Sequence, residues 1–243
     1  MRDATRRVVE NFWCDTFDLE SDELWNDITI RPHSRLGSYP GWYVAWRGDG
    51  VHVSAPPTAS AADAASLANE SPADLRRIEF WNAFALQRSM QVIGPAIHHY
   101  LDEDPGVPSD VEQVDPVRLT LLRDAVSVEE WDECGIPDAL SDGGEALAVW
   151  GATGEAARPW VPALLGGAVL TETAGAHRDV GLLVAADARG RGLGRRLGQA
   201  ASSYAVQWHG WARWTARTSN VASLRTAERI GFERYATQLA IRP

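Results

Sequence analysis

Arg189-Gly190-Arg191-Gly192-Leu193-Gly194 decides how this chain is read. It follows the apolar run Val180-Gly181-Leu182-Leu183-Val184 and opens a helix expected over residues 195–208. A strand, a glycine-rich turn and a helix N-terminus together form an anion cradle. Glycines let the backbone approach closely, the turn's N–H groups converge on one spot, and the helix dipole adds positive potential there. Arg189, Arg191, Arg195 and Arg196 supply guanidinium groups that pair with phosphate oxygens. Two phosphate-binding patterns are excluded. A P-loop needs Lys and then Ser or Thr after its last glycine, and this chain contains no Lys. A dinucleotide fingerprint needs Gly-x-Gly-x-x-Gly. Counting from Gly190 the third glycine is Arg195, and counting from Gly192 it is Leu197.

The pattern that remains is Arg-x-x-Gly-x-Gly, Arg189 to Gly194. Downstream come a strand expected over 211–218, then Asn220, Ser223 and a short helix ending at Ile230-Gly231-Phe232. This series resembles the acetyl-CoA pyrophosphate loop and following segments of the GNAT acetyltransferase superfamily. The resemblance is specific over 179–232 and looser over 111–178. The whole chain, with its ending Tyr235-Ala236-Thr237-Gln238-Leu239-Ala240-Ile241, is similar to two-part bacterial members. It implies an α+β fold: a mixed, mostly antiparallel, splayed sheet flanked by helices. It also implies direct transfer of an acyl group from acetyl-CoA to an amine, with no metal.

Carried over residue by residue, the resemblance gives Leu182, Leu183 and Val184 backbone contacts to the pantetheine arm and an oxyanion donor. Arg189, Gly190, Arg191, Gly192, Leu193, Gly194 and Arg195 hold the pyrophosphate. Asn220 and Ser223 lie by the pantetheine or the sulfur. Plainer roles exist for each: core strand residues, a solvent turn, and helix caps at Ser219 and Asn220. There are two departures. Where many members carry a Tyr, four residues before the glycine of the last helix, this chain has Ala227. The chain also ends one strand after Gly231, so the closing hairpin lacks its last strand and another segment is expected to fill that place.

Composition narrows the class. With 243 residues and 45% hydrophobic content the chain holds one large domain or two small ones. No apolar run approaches the roughly 20 residues that span a bilayer. The charged start Met1-Arg2-Asp3-Ala4-Thr5-Arg6-Arg7 lacks a following apolar region, so no signal peptide is expected. Only Cys14 and Cys134 are present, too few for a disulfide framework, and the expected compartment is the cytoplasm. A net charge of −10 disfavours general nucleic-acid binding. The absence of Lys excludes Schiff-base chemistry.

Two regions are expected. Residues 1–105 form an N-terminal α+β domain, which could be a degenerate half of the same fold, and 110–243 form the catalytic domain. The first region reads as an amphipathic helix over 3–17 and a hairpin of strands 42–46 and 51–54 around Arg47-Gly48-Asp49-Gly50. A short helix over 61–69, a helix from Ser71-Pro72 to about residue 87 and a strand ending near residue 100 follow. The acidic, Pro-containing stretch 102–109 reads as a linker. A strand near Val111 opens the second region. Asp115-Pro116 starts one helix, and Ser127-Val128-Glu129-Glu130 is a capping box for another. Strands are expected over 146–152, 163–173 and 177–184.

The acyl transfer needs a neutral amine, a stabilised oxyanion and a thiolate that can leave. Glu172, near the end of one central strand, and Asp179, on the next, are the candidate general bases. His177 is close in sequence. Glu129 and Glu130 lie in the helix expected to rim the substrate site. His52, His98 and His99 lack a third ligand at metal spacing and read as structural. Tyr204 and Tyr235 are the candidates to replace the missing acid. The expectation is an N-acetyltransferase acting on a small-molecule amine, with homodimerisation left open. The alternatives are a non-catalytic CoA-binding sensor or scaffold, and a protein N-acetyltransferase.

Overall fold

The computed structural model describes residues 1–151 and 163–243. In chain order the elements are α1 (Asp3–Phe17), β1 (Ile28–Pro32), β2 (Trp42–Arg47), β3 (Gly50–Ala55), α2 (Ala61–Ala68), α3 (Pro72–Leu75), α4 (Ile78–Leu86), β4 (Gln91–Leu101) and β5 (Glu112–Val114). A 3-10 helix (Pro116–Ala125) follows. Then come α5 (Val128–Glu133), α6 (Ile136–Asp142), β6 (Glu145–Gly151), β7 (Ala163–Thr173), β8 (Ala176–Val184), α7 (Leu193–His209), β9 (Ala212–Arg217), α8 (Val221–Ile230) and β10 (Glu233–Arg242). The chain divides into two compact units. One is Arg2–His98 with Ala216–Asn220 and Arg234–Pro243, and the other is His99–Thr215 with Val221–Glu233 and Met1. The division falls at His98 and His99, ahead of the 102–109 stretch, and the last strand is counted with the N-terminal unit.

In the N-terminal unit the strand order is β1-β3-β2-β10-β4. The β2–β3 hairpin forms around 47–50, with Arg47 opposite Gly50. β1 pairs parallel with β3, and β10 pairs antiparallel with β2. The core is built of Trp42, Val44, Val51, Val53, Leu75, Trp81, Leu239 and Ile241. β3 is buried along its whole length, His52 included. The Trp25 N–H donates to His52 Nε2 at 2.9 Å. Nδ1 therefore carries the proton and donates to Thr29 Oγ1 at 2.8 Å. Burial pulls the His52 pKa down to about 4, so the ring is neutral.

Two expectations are corrected here. The helix expected from residue 72 to about 87 is broken into α3 and α4. Arg77 adopts an extended conformation, and the buried Trp81 indole donates back to Leu75 O at 2.7 Å. β1 is an additional strand, with Ile28 and Ile30 alternating on one face.

In the C-terminal unit the order is β9-β8-β7-β6-β5, antiparallel except for the β8–β9 pair. The segment opened by Asp115 is a 3-10 helix, not an α-helix. Asp115 caps the Val117 N–H at 2.9 Å, and the three-residue period puts Leu119 and Leu122 on one fully buried side. The capping box at Ser127 is present in both directions. β6 begins one residue earlier than expected, and its expected end, Ala152, lies outside the described residues. The 102–109 stretch is bound along α7. Ser203 Oγ and Gln207 Nε2 donate to Asp104, the latter at 2.8 Å. Gln199 Nε2 donates to Pro105 O at 2.7 Å, and Arg196 Nε to Asp110 at 3.1 Å. These helix residues recur every three or four positions, which makes one polar stripe. Among the described residues no helix is long and apolar enough to cross a membrane.

Candidate functional site

β8 and β9 run parallel, and their register contains one pair, Asp179 with Arg213. Beyond it the strands part toward their C-terminal ends. The edge so opened includes Leu182 and Val184, both only partly buried, whereas Leu183 is buried. A strand edge without a neighbour offers backbone N–H and C=O groups to an extended ligand. The 189–194 turn stands at the end of this wedge. Gly190 and Gly192 have φ of +78° and +76°, a conformation that side chains rarely adopt, and an added Cβ at either meets nothing within 4 Å. Gly192 is the N-cap of α7 and supplies no side-chain cap. The first backbone bond of the helix runs from the Arg196 N–H to Gly192 O at 3.2 Å. The N–H groups of Leu193, Gly194 and Arg195 are thus outside the helical ladder and aligned with its positive end. Gly194 joins turn and wedge: its Cβ position lies 3.8 Å from the side chains of Leu182 and Val184.

The loop arginines differ in their commitments. Arg189 Nε donates to Val184 O at 3.2 Å, and its Nη2 pairs with Glu130 Oε1 at 2.9 Å. Arg191 donates to Asp187 O at 3.1 Å. Arg191 and Arg195 are exposed, and Arg196 is tied to Asp110.

At the apex of the wedge Asp179 Oδ2 accepts from Arg213 Nη2 at 2.6 Å. Asp179 Oδ1 is buried and has no hydrogen-bond partner among the described residues. Asp179 shares a strand face with Gly181, two residues on. On that face the α5–α6 elbow packs against β8 so closely that a Cβ at Gly181 would stand 2.3 Å from Cys134 O. Glu172 is exposed near the hairpin end of β7. Its register partner is His177, beyond Asp179 and away from the wedge. The β7–β8 register shifts there, which leaves Arg178 as the extra residue, stacked 4.6 Å over the Trp211 ring. His177 Nδ1 lies 2.9 Å from Glu145 Oε2.

The remaining sequence candidates are dispersed. Ser223 Oγ accepts from the Trp214 indole at 3.0 Å. The Asn220 N–H donates to Arg217 O at 2.9 Å, and Asn220 is counted with the N-terminal unit. Ala227 is fully buried. Tyr204 packs tilted against Trp208 on α7, ring centroids 4.8 Å apart. Tyr235 belongs to the N-terminal unit, where its hydroxyl accepts from Trp25 at 3.1 Å and Arg47 lies 4.2 Å over its ring. Burial raises the Tyr235 pKa, and it pushes the Cys134 thiol up to about 11. Three features of the site escaped sequence reasoning: the Arg213 partner of Asp179, the Gly181 contact and the Glu130–Arg189 pair. Each depends on pairing between distant segments, for which the local pattern holds no signal.

Residues 116–232 match the model of the Acetyltransferase (GNAT) family. No curated protein matches this chain. Among solved structures, a protein assigned to the GNAT family from Novosphingobium aromaticivorans aligns at 15% identity and TM-score 0.49, covering 63% of this chain and 66% of its own. A GNAT-family acetyltransferase from Colwellia psychrerythraea aligns at 14% identity and TM-score 0.44, covering 66% and 61%. A GCN5-related N-acetyltransferase-like protein from Streptococcus suis aligns at 12% identity and TM-score 0.49, covering 98% and 99%. The chain thus spans less than two thirds of the length of the first two.

Proposed function

The chain is a member of the GNAT superfamily with a C-terminal GNAT domain matched over residues 116–232, and from that premise we propose that it is an N-acetyltransferase. In this reading it moves an acetyl group directly from acetyl-CoA to a small-molecule amine. The observation that carries the reading is the wedge: a single β8–β9 register pair, with an open edge leading to a glycine turn at a helix N-terminus.

The residues fit the cofactor in three places. The free N–H groups of Leu193, Gly194 and Arg195, with Gly190, Gly192 and the exposed Arg191, suit a pyrophosphate. The β8 backbone at Leu182, Leu183 and Val184 suits the amide groups of a pantetheine arm and offers an N–H donor toward the carbonyl oxygen on which charge develops. Asn220 and Ser223 are the further contacts this reading assigns. Acetyl-CoA supplies the activated acyl group. The chain's own residues orient the amine and remove its proton. Asp179 is the proposed proton acceptor, because Oδ2 is anchored on Arg213 while the lone pairs of Oδ1 have no hydrogen-bond partner among the described residues. Glu172 is the second candidate, exposed and further from the apex.

One observation favours a second reading. Ala227, where many relatives carry a phenolic acid, is fully buried, so no protein acid stands at that point of α8. A non-catalytic CoA-binding protein would tolerate this. Release of free thiol from acetyl-CoA, measured over a panel of primary amines and a panel of peptides, separates the readings. Turnover with a small amine is expected. Turnover with peptides alone overturns the substrate class, and CoA binding without turnover on any acceptor favours the sensor.

A further inference from the structure

Glu130 has both carboxylate oxygens engaged. Oε2 accepts the Ser127 N–H at 3.1 Å in the capping box, and Oε1 meets Arg189 Nη2 at 2.9 Å. Arg189 first, and the Ser127 N–H second, hold its carboxyl below the usual carboxylate range. Arg189 is at once the first residue of the anion loop and, through Nε on Val184 O, tied to the end of β8. One side of its guanidinium thus faces the strand, and another nitrogen faces Glu130.

The backbone that carries Glu130 is held in place. The next residue, Trp131, is buried, and the elbow that ends α5 rests with Cys134 O on Gly181. An anion on the N–H groups of 193–195 would attract the Arg189 guanidinium toward α7, while the backbone of Glu130 belongs to α5.

The geometry points to a counterion exchange in which Glu130 and a bound pyrophosphate compete for Arg189, so that Glu130 sets the affinity for the phosphate end of the ligand and not for its pantetheine arm. This rests on the CoA reading of the loop. The Arg189 and Glu130 side chains are 45% and 41% exposed, so the pair is a weak surface ion pair. Its competition is therefore a modest brake, about two- to fivefold in affinity. The exchange also leaves Oε1 of Glu130 as a free acceptor at the rim once phosphate has bound.

The test is calorimetric titration of the full chain with CoA and, separately, with pantetheine, which lacks the phosphates. The proteins are wild type, Glu130→Gln, Arg189→Gln, the double variant and Glu129→Gln. Gln at position 130 keeps the capping box while removing the charge. Glu130→Gln is expected to bind CoA about two- to fivefold more tightly, with pantetheine unchanged. The gain should vanish in the Arg189→Gln background and be absent in Glu129→Gln. Unchanged or weaker CoA binding by Glu130→Gln overturns the exchange, as does a gain that extends to pantetheine or survives loss of Arg189. Failure of wild type and all variants to bind CoA overturns the cofactor reading itself, a result distinct from CoA binding without the gain.

Discussion

In the N-terminal unit, His52 and His33 have both ring nitrogens committed to named partners. His52 sits between Trp25 N and Thr29 Oγ1, and His33 between Ser54 Oγ and Gly41 O. In the C-terminal unit, Asp179 Oδ1, Arg178 Nε and His209 Nε2 are buried without a hydrogen-bond partner among the described residues. An unsatisfied buried polar group costs about 1–3 kcal/mol, so a fold keeps one where something else is gained. His52 and His33 are internal braces with a fixed tautomer. Asp179 in the C-terminal unit stands where two strands part, one oxygen anchored and one uncommitted.

The largest expected effect bears on that uncommitted oxygen. Asp179→Asn should lower the acetylation rate by about 10²–10⁴-fold, the usual contribution of a general base, with the KM for acetyl-CoA little changed. A loss of less than tenfold, read by thiol release, would assign the proton transfer to another group. Glu172→Gln tests the second candidate: it is expected within about twofold of wild type if Asp179 takes the proton, and a larger loss there than in Asp179→Asn would move the proton transfer to Glu172.

Acid sharpens the other side of the comparison. His52 has a folded pKa of about 4 against an ordinary value of 6.5, so the unfolded chain takes up the proton first. Its contribution is therefore intact above pH 6.5 and lost progressively as pH falls toward 4. The full loss is roughly 3 kcal/mol. Urea unfolding of wild type and His52→Gln at pH 7 and pH 4.5 checks this. The wild type should lose more stability between the two, and parallel losses would refute the assignment.

A smaller effect is expected at the elbow. Gly181→Ala sets a Cβ 2.3 Å from Cys134 O, so α5 and α6 must shift. Overpacking of this kind costs about 1–3 kcal/mol, visible as a lowered Tm, and it should move Glu130 and Asp179 from their places. A variant with unchanged Tm would show that the elbow is free to slide.

Much of the C-terminal unit was legible because its signals are local. The glycine turn, the apolar run before it and the periodicity after it give β8, the loop and α7 within two residues of their observed bounds. Ser127 and Glu130 announce their capping box three residues apart. What escaped is long-range. β1 is a strand because it lies parallel to β3, and β10 lies between β2 and β4 through pairing that no local pattern encodes. The acidic, Pro-containing 102–109 has a linker's composition, yet Asp104 and Pro105 are bound by a polar stripe on α7 some hundred residues away. Glu172 and Asp179 look alike in sequence as strand carboxylates. The register shift at Arg178 and the Arg213 partner set them apart.

The most direct measurement is the melting temperature of wild type and Gly192→Glu with CoA, acetyl-CoA and NAD. Ligand bound only by the folded state raises Tm by linkage. The substitution places a carboxylate at the helix N-terminus, on a residue whose φ of +76° disfavours any side chain. The expected result is a rise in wild type with both CoA compounds, none with NAD, and none with any ligand in Gly192→Glu. No rise with either CoA compound in wild type, or an equal rise in the variant, would contradict the reading of the wedge and its loop as a cofactor site.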